Sequence, residues 1–123
     1  MDVNRRQLPP VLSMDGYGCG TLRVASDRCP DGISLRLIGE MDLVTAPHLV
    51  ESVRSLRGPD MQHVRLDLTQ LTFVDAAGLR ALVQARMLVH GRGGQLTLHG
   101  ARPLLRRMLE ITELNTAFDL EST

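Results

Sequence analysis

Aromatic side chains are almost absent from this chain of 123 residues. It has no tryptophan, one tyrosine and two phenylalanines, so aromatic residues make up 2% of the sequence. Few rings are available to stack on unpaired bases, which makes a single-stranded nucleic acid a poor fit as a ligand. Any core must be built from leucine, valine, isoleucine, alanine and methionine, within a hydrophobic share of 43%.

Lysine is missing altogether. All 14 basic residues are arginine, and 14 acidic residues balance them to a formal net charge of zero. Without lysine, Schiff-base chemistry and the lysine of a P-loop are both excluded. Without an excess of either charge, no strong field favours DNA or a basic partner. We therefore expect no nucleic-acid partner and no cofactor.

Cysteine and long apolar runs are also scarce. Cys19 and Cys29 are not spaced as a CxxC pair, and no second pair or histidine cluster completes a zinc site, so no metal is expected. We interpret both as free thiols. No apolar run approaches the roughly 20 residues that cross a bilayer, and the amino terminus lacks a signal-peptide core. The sequence therefore predicts a cytoplasmic protein without a membrane partner.

The order of hydrophobic patterns predicts one α/β domain. Residues 1–20 contain adjacent prolines and several glycines and are interpreted as a flexible N-terminal extension, and residues 21–121 as the folded domain. Runs of period two predict strands, and runs of period 3.6 predict helices. The predicted strands span residues 21–26, 33–38, 64–68, 95–99 and 116–120, and the predicted helices span residues 46–57, 77–90 and 103–111. With a hairpin at the start and helical crossovers after it, the order β-β-α-β-α-β-α-β gives a mixed β-sheet of about five strands.

Residues 71–79 carry the most informative pattern. They read Leu-Thr-Phe-Val-Asp-Ala-Ala-Gly-Leu and predict the end of a strand, a short apolar loop and the start of a helix. Asp75 is the predicted N-cap, accepting a hydrogen bond from the backbone amide of Gly78. The positive end of a helix suits a phosphate or an acidic partner. Yet no serine, threonine or tyrosine lies between Thr72 and Thr97.

The first two predicted helices carry further signals. Thr45 is the predicted N-cap of the first helix, which has a proline in its first turn. The second helix has a predicted core stripe, and its opposite side is also apolar apart from Arg80, Gln84 and Arg86. The stripe consists of Leu79, Leu82, Val83 and Met87, and the opposite side of Ala77, Ala81, Ala85 and Leu88. A helix that is apolar on nearly all sides is either buried by its neighbours or covered by a partner, and we favour the partner.

Three motifs in this order resemble the STAS domain, and in particular the bacterial anti-sigma factor antagonists (anti-anti-sigma factors). Residues 39–42, followed by the Thr-Ala pair at 45–46, are similar to that family's Gly-Glu-Leu-Asp or Gly-Glu-Ile-Asp segment. Residues 68–79 are similar to its Leu-x-x-Leu-x-Phe-x-Asp-Ser-Ser-Gly-Leu segment, and residues 91–94 to its glycine-rich step into the next strand. The resemblance covers about residues 21–120 and implies the STAS fold, with helices packed mainly on one face of the sheet.

The resemblance implies a regulatory binding protein and not an enzyme. In this family, a dephosphorylated antagonist binds an anti-sigma factor, usually a serine-protein kinase of the histidine-kinase-like ATPase type, and so frees a sigma factor. The kinase switches the antagonist off by phosphorylating the first serine of the Asp-Ser-Ser-Gly motif. This chain has Ala76 and Ala77 in place of the two serines, so we expect no regulation by phosphorylation there. Alanine resembles an unphosphorylated serine in size, whereas phosphoserine adds about two negative charges and bulk.

The expected partner-binding surface follows from the resemblance and from the helix pattern. It combines the segment between Phe73 and Gly78, the exposed side of the second helix and the loop before the first helix. The residues are Asp42, Thr45, Phe73, Asp75, Ala76, Ala77, Gly78, Arg80, Ala81 and Gln84. Glu40 and Asp42 are interpreted as a solvated loop or a partner-facing acidic edge, because no nucleophile, base or metal ligand is placed beside them.

Two other functional classes stay open. A STAS module can be a subunit of a transport or other protein assembly, with the second helix packed on an ATPase. A small-ligand or nucleotide sensor is the other, although residues 91–94 follow a helix instead of opening one and so do not match a phosphate-binding loop. The sequence also leaves open a weak homodimer, the identity of the anti-sigma factor and the sigma pathway concerned.

Overall fold

The structure, a computed structural model, describes residues 21–111 in full and the backbone of three short segments outside that range. In chain order the elements are β1 (Arg5–Gln7), β2 (Val11–Leu12), β3 (Thr21–Cys29), β4 (Gly32–Met41), α1 (Ala46–Arg54), β5 (His63–Val74), α2 (Ala76–Gly91), β6 (Gln95–His99), α3 (Pro103–Ile111) and β7 (Asp119–Leu120). A 3-10 turn, Gly58–Met61, lies between α1 and β5. The class is α/β, as predicted.

The strands form one mixed sheet. The order across it is β1-β3-β4-β5-β6-β7, and β2 also pairs with β3. β3 and β4 form an antiparallel hairpin, while β4, β5, β6 and β7 run parallel. The predicted hairpin and the predicted parallel crossovers are therefore confirmed. The sheet is wider than the predicted five strands because two short segments before residue 21 pair with β3.

Some predictions concern residues outside the described part of the chain. The flexibility predicted for residues 1–20 and the domain boundary at residue 21 stay predictions. Of the predicted last strand, only Asp119–Leu120 is described, and these two residues are in a strand. Cys29 is a free thiol, as predicted, while Cys19 lies outside the described residues.

The core lies between the sheet and the helices. Alternate residues of the central strands are buried on one face, because strand side chains point to opposite sides in turn. In β4 and β5 they are Ile33, Leu35, Leu37, Val64, Leu66 and Leu68. They form one hydrophobic cluster with residues of all three helices, including Leu49, Leu82 and Leu109. The helices therefore pack on one face of the sheet, as predicted. None of the described helices is long and apolar enough to cross a membrane.

Several element boundaries differ from the sequence prediction. β3 and β4 extend beyond their predicted ends, to Cys29 and Met41. β5 continues through residues 71–74, where a loop is predicted, because these residues pair with the end of β4. α1 ends at Arg54 instead of Arg57. The side chains of Arg57 and Arg92 both donate hydrogen bonds to the backbone carbonyl of Arg54. This carbonyl at the end of the helix therefore has hydrogen-bond partners without a further helical turn. α2 begins one residue earlier than predicted, at Ala76.

Candidate functional site

The carboxyl ends of the parallel strands bring most of the predicted site residues to one edge of the sheet. β4 leads into the loop before α1, β5 into α2, and β6 into the turn before α3. Because parallel strands end at the same edge, these connections lie side by side. β5 projects further there than β6, since pairing with β6 stops at Asp67 and pairing with β4 continues to Val74. We call this end of the molecule the carboxyl edge.

α2 starts at the carboxyl edge with a side-chain cap. Oδ1 of Asp75 accepts a hydrogen bond from the backbone N–H of Gly78 at 2.9 Å, which confirms the predicted N-cap. Ala76, the first residue of the helix, is exposed, and Ala77 is half-buried. The first turn contains no acidic residue. A methyl group therefore stands where an added negative charge would be favourable for the helix.

Gly78 allows α2 to lie against the end of β4. A Cβ added at Gly78 would lie 2.7 Å from the Met41 carbonyl oxygen and 2.9 Å from Cγ1 of Val74. The backbone N–H of Asp75 donates to the same Met41 oxygen at 3.3 Å. The start of the helix and the end of the strand are thus joined through Met41, and a residue without a side chain is needed at the point of contact.

A buried carboxylate holds the loop between β4 and α1. Oδ1 of Asp42 accepts hydrogen bonds from the backbone N–H groups of Val44 and Thr45, both at 2.9 Å. The Thr45 hydroxyl accepts from the N–H of Asp42 at 2.9 Å and donates to the Glu40 carbonyl at 2.8 Å. Asp42 is 4% exposed, and its Oδ2 atom has no hydrogen-bond partner among the residues the structure describes.

Two interpretations of this loop are wrong. Asp42 is not on a solvated acidic edge, because its carboxylate is folded inward and satisfies the backbone of its own loop. Thr45 occupies the N-cap position of α1, but its side chain caps no helix amide, because its hydroxyl is held by Asp42 and Glu40. Both side chains shape the loop from inside. The partner contact predicted for them stays a prediction.

Apolar side chains project from the carboxyl edge. Leu43, in the loop before α1, is 64% exposed, and Phe73, at the end of β5, is 46% exposed. Leu104, in the first turn of α3, is also exposed and lines a cavity of about 40 Å³ together with Phe73. Exposed apolar side chains at one edge of the sheet make this edge the candidate interaction surface. We define the carboxyl-edge surface as Leu43, Phe73, Ala76, Arg80 and Leu104.

A groove between α1 and α2 continues from this surface. Its first part, of about 210 Å³, lies beside Leu43 and contains Arg80 and Gln84. Its second part, of about 330 Å³, reaches Met87. Val50 and Gln84 line both parts, so the two are consecutive. We call them together the helix groove.

The exposed side of α2 differs from the prediction. Ala81 is 3% exposed, because it lies where α2 packs against α1. The predicted exposed side therefore keeps Arg80 and Gln84 but loses Ala81. Met87 is 63% exposed and does not belong to the core stripe, whereas Val89 is fully buried.

The predicted site residues divide into an outer and an inner set. The outer set is exposed or half-buried and comprises Phe73, Asp75, Ala76, Ala77, Arg80 and Gln84. The inner set is buried and comprises Asp42, Thr45, Gly78 and Ala81. Which of them contact a partner stays a prediction. Sequence reasoning missed Leu43 and Leu104. The available signals were a leucine in a loop directly after a strand, and two adjacent leucines in α3, of which only one can face the core.

Two observations describe the ionisable groups. Within the described part of the chain, no group of three or more histidine, cysteine, aspartate or glutamate side chains could hold a metal ion. Partial burial tends to raise the pKa of Asp67. The hydrogen bonds from the Thr69 hydroxyl and amide, with the charges of His99 and Arg65, outweigh burial and hold the pKa of Asp67 below its ordinary value.

Comparison with known proteins agrees with this fold and with the resemblance seen in the sequence. The family model described as STAS domain matches residues 11–123. The anti-sigma-B factor antagonist of Listeria monocytogenes serovar 1/2a is 30% identical over 96 residues, covering 78% of this chain and 84% of that protein. The anti-sigma-B factor antagonist of Bacillus subtilis is 30% identical over 92 residues, covering 73% of this chain and 82% of that protein.

A solved structure has the same architecture. The crystal structure of an anti-sigma factor antagonist from Mycobacterium paratuberculosis is similar with a TM-score of 0.71 and 23% sequence identity, covering 83% of this chain and 86% of that one. The mixed sheet with its helices on one face, and the family match over most of the sequence, lead to one conclusion. The chain belongs to the STAS-domain family.

Proposed function

We propose that this protein is an anti-sigma factor antagonist. It binds an anti-sigma factor of the serine-kinase, histidine-kinase-like ATPase type and so frees a sigma factor. The observation that carries the proposal is the exposed Ala76 at the first position of α2, at the same edge as the exposed side chains of Leu43, Phe73 and Leu104. The names of the curated relatives, anti-sigma-B factor antagonists, support the same role.

The carboxyl-edge surface has the chemistry of a docking site. Burying an exposed leucine or phenylalanine against a partner contributes about 1.5–3 kcal/mol before the costs of association. Ala76 adds little bulk at the start of α2, so a partner can approach the helix closely there. Arg80, exposed one turn further along α2, provides a cation that can pair with a carboxylate on the partner.

The alanine at position 76 removes the covalent off-switch of the family. α2 contains no serine, threonine or tyrosine. The hydroxyl groups nearest in the sequence to Ala76 are those of Thr72 and Thr69. Both lie on β5 and not at the start of a helix. The Thr72 hydroxyl donates to the Gly39 carbonyl at 3.0 Å, and the Thr69 hydroxyl donates to Asp67 at 2.7 Å. The protein is thus binding-competent whenever it is present, and its activity is set by its amount, by a competing antagonist or by a ligand.

A binding titration with purified anti-sigma factors of the ATPase type from the same organism tests the proposal. Wild type is expected to bind at least one of them. Ala76→Glu is expected to weaken binding by about 100-fold or more, because its carboxylate adds bulk and negative charge to the interface and competes with the partner's carboxylate for Arg80. The variant should fold normally, since an acid at the first helical position stabilises a helix by about 0.3–1 kcal/mol. A thermal melt at or above that of wild type will separate lost binding from lost folding.

Gln62→Glu is the matched control. It adds the same charge at an exposed position directly before β5, at the opposite edge of the sheet from Ala76. This control is expected to bind like wild type. The proposal is wrong if wild type binds no anti-sigma factor of this type, or if the two glutamate variants bind equally well.

A further inference from the structure

We propose that the helix groove holds an acidic amphipathic helix contributed by the partner. This inference rests on the proposed function, because the partner is the protein that docks on the carboxyl-edge surface. It extends the interface away from that surface, between α1 and α2, as far as Met87.

The groove has the length and lining that a helix requires. Its α2 side runs from Ala77 to Leu88, which is about 16 Å at 1.5 Å per residue and equals roughly three turns of an α-helix. Val50 and Ala81 are small and buried at its base, so a partner backbone can approach closely. Met87 stands exposed at the far end, and the flexible side chain of methionine adapts well to apolar neighbours. Amphipathic helices bind in apolar grooves of this kind.

The charges along the groove favour acidic residues on the bound helix. Among the residues that line the groove, α2 contributes one cation, Arg80, and no aspartate or glutamate. On the α1 side, Glu51 is already paired with Arg54 at 2.6 Å. Arg80 is exposed and has no ion-pair partner within the part of the chain that the structure describes. A helix with carboxylates along its polar side therefore complements the rim of the groove.

A second copy of this chain fits the groove less well. A two-fold dimer buries the same surface on both copies. It would bring the Arg80 side chains of both copies into one interface, while the Glu51 carboxylate of each copy is already paired with Arg54. Like charges that face one another oppose association, so the groove favours a partner with the opposite charge.

Truncation of Met87, at the far end of the helix groove, tests whether the groove contacts the partner. Met87→Ala is expected to weaken the binding of the anti-sigma factor by about 10-fold, because it removes an apolar anchor. Ile111→Ala is the matched control, since Ile111 is 73% exposed on α3 and lines none of the groove. The control is expected to bind within about twofold of wild type. Thermal melts should show both variants folded.

Opposite charges placed at Gln84 test the acidity of the bound helix. Gln84 is exposed and lines both parts of the groove. Gln84→Glu is expected to weaken binding by about 3- to 10-fold, whereas Gln84→Arg should bind as well as wild type or better. If Gln84→Glu binds more tightly than Gln84→Arg, the bound helix is not acidic and the proposal fails.

The outcomes separate this proposal from the proposed function. If Ala76→Glu abolishes binding but Met87→Ala behaves like Ile111→Ala, the groove is not used, and docking at the carboxyl edge stands. If wild type binds no anti-sigma factor, both proposals fail. If light scattering shows a wild-type dimer that Met87→Ala dissociates, the groove holds a second copy and the proposal of an acidic helix is wrong.

Discussion

Gly78→Ala is expected to destabilise the protein even though alanine is the better helix former. Alanine favours a helix over glycine by roughly 0.5–1 kcal/mol. The added Cβ would meet the Met41 carbonyl oxygen at 2.7 Å and Cγ1 of Val74 at 2.9 Å. Forcing a methyl group into packed space costs about 1–3 kcal/mol. Because the carbonyl cannot yield without disturbing its 3.3 Å hydrogen bond with Asp75, we expect the steric cost to prevail, with a net loss of about 1–2 kcal/mol.

Gly91→Ala provides a control within the same helix. Outside the adjacent residues and the backbone of its own helix, no atom lies within 4 Å of a Cβ added at Gly91. The variant should therefore gain about 0.4–1 kcal/mol from the lower entropy of its unfolded chain. Thermal and urea unfolding, followed by circular dichroism, measure both effects. For a domain of this size, 1 kcal/mol corresponds to roughly 3–6 °C in Tm. A melting temperature for Gly78→Ala at or above that of Gly91→Ala would refute the argument.

Hydrogen exchange gives a local reading of the same contact. The Asp75 amide donates to the Met41 carbonyl, so its hydrogen exchange should become faster in Gly78→Ala. The exchange rates of amides in the central part of β5 should change only as much as the global free energy of unfolding changes. Gly91→Ala should leave the Asp75 amide as protected as in wild type. Equal exchange at Asp75 in the two variants would contradict the proposed link between α2 and β4.

Three further predictions concern single side chains. Asp42→Ala should lower the free energy of unfolding by about 1–3 kcal/mol, because the buried backbone amide of Thr45 and the partly buried amide of Val44 lose their acceptor. Urea denaturation measures this loss, and Asp42→Asn should lose less. The pKa of Asp67 is lower in the folded protein than in the unfolded chain. The ionised Asp67 side chain therefore stabilises the fold at pH values above the unfolded pKa, and this stabilisation is lost as the pH falls through the folded pKa. Below about pH 4, the Tm of wild type should therefore fall more steeply than that of Asp67→Asn, and parallel curves would contradict this. Ala76→Ser should gain phosphate from an ATP-loaded kinase partner that leaves wild type unmodified, as mass spectrometry would show, and no modification by a kinase active on its own antagonist would count against docking there.

The sequence predicted those features that neighbouring residues determine. The cap at the start of α2 involves Asp75 and an amide three residues away, and it is found where the local pattern placed it. The antiparallel pairing of β3 and β4 follows from a short turn between two alternating runs. Two elements also have the predicted bounds, α3 at Pro103–Ile111 and β6 at Gln95–His99. Both were predicted from hydrophobic periodicity and from the glycines that precede β6.

Features that depend on tertiary contacts were not predictable in this way. A threonine before a helix suggests a cap, but the Thr45 hydroxyl binds Asp42 and Glu40, and the sequence cannot rank these competing partners. The periodicity of α2 does not reveal where α1 lies. It predicts Met87 in the core and Ala81 on the exposed side, and both predictions are wrong. The carboxyl-terminal half of β5 is a strand because it pairs with β4, a contact that local propensity does not encode.

The loop that presents Leu43 is already folded around the Asp42 carboxylate and the Thr45 hydroxyl. A partner therefore does not have to immobilise this segment when it binds, and little conformational entropy is lost on association at this point. Attraction between the exposed Arg80 and a carboxylate of the partner should speed the last step of encounter and weaken at high ionic strength. The lifetime of the complex should depend on the apolar contacts, so that Leu43→Ala shortens the residence time of the partner while leaving its arrival rate nearly unchanged.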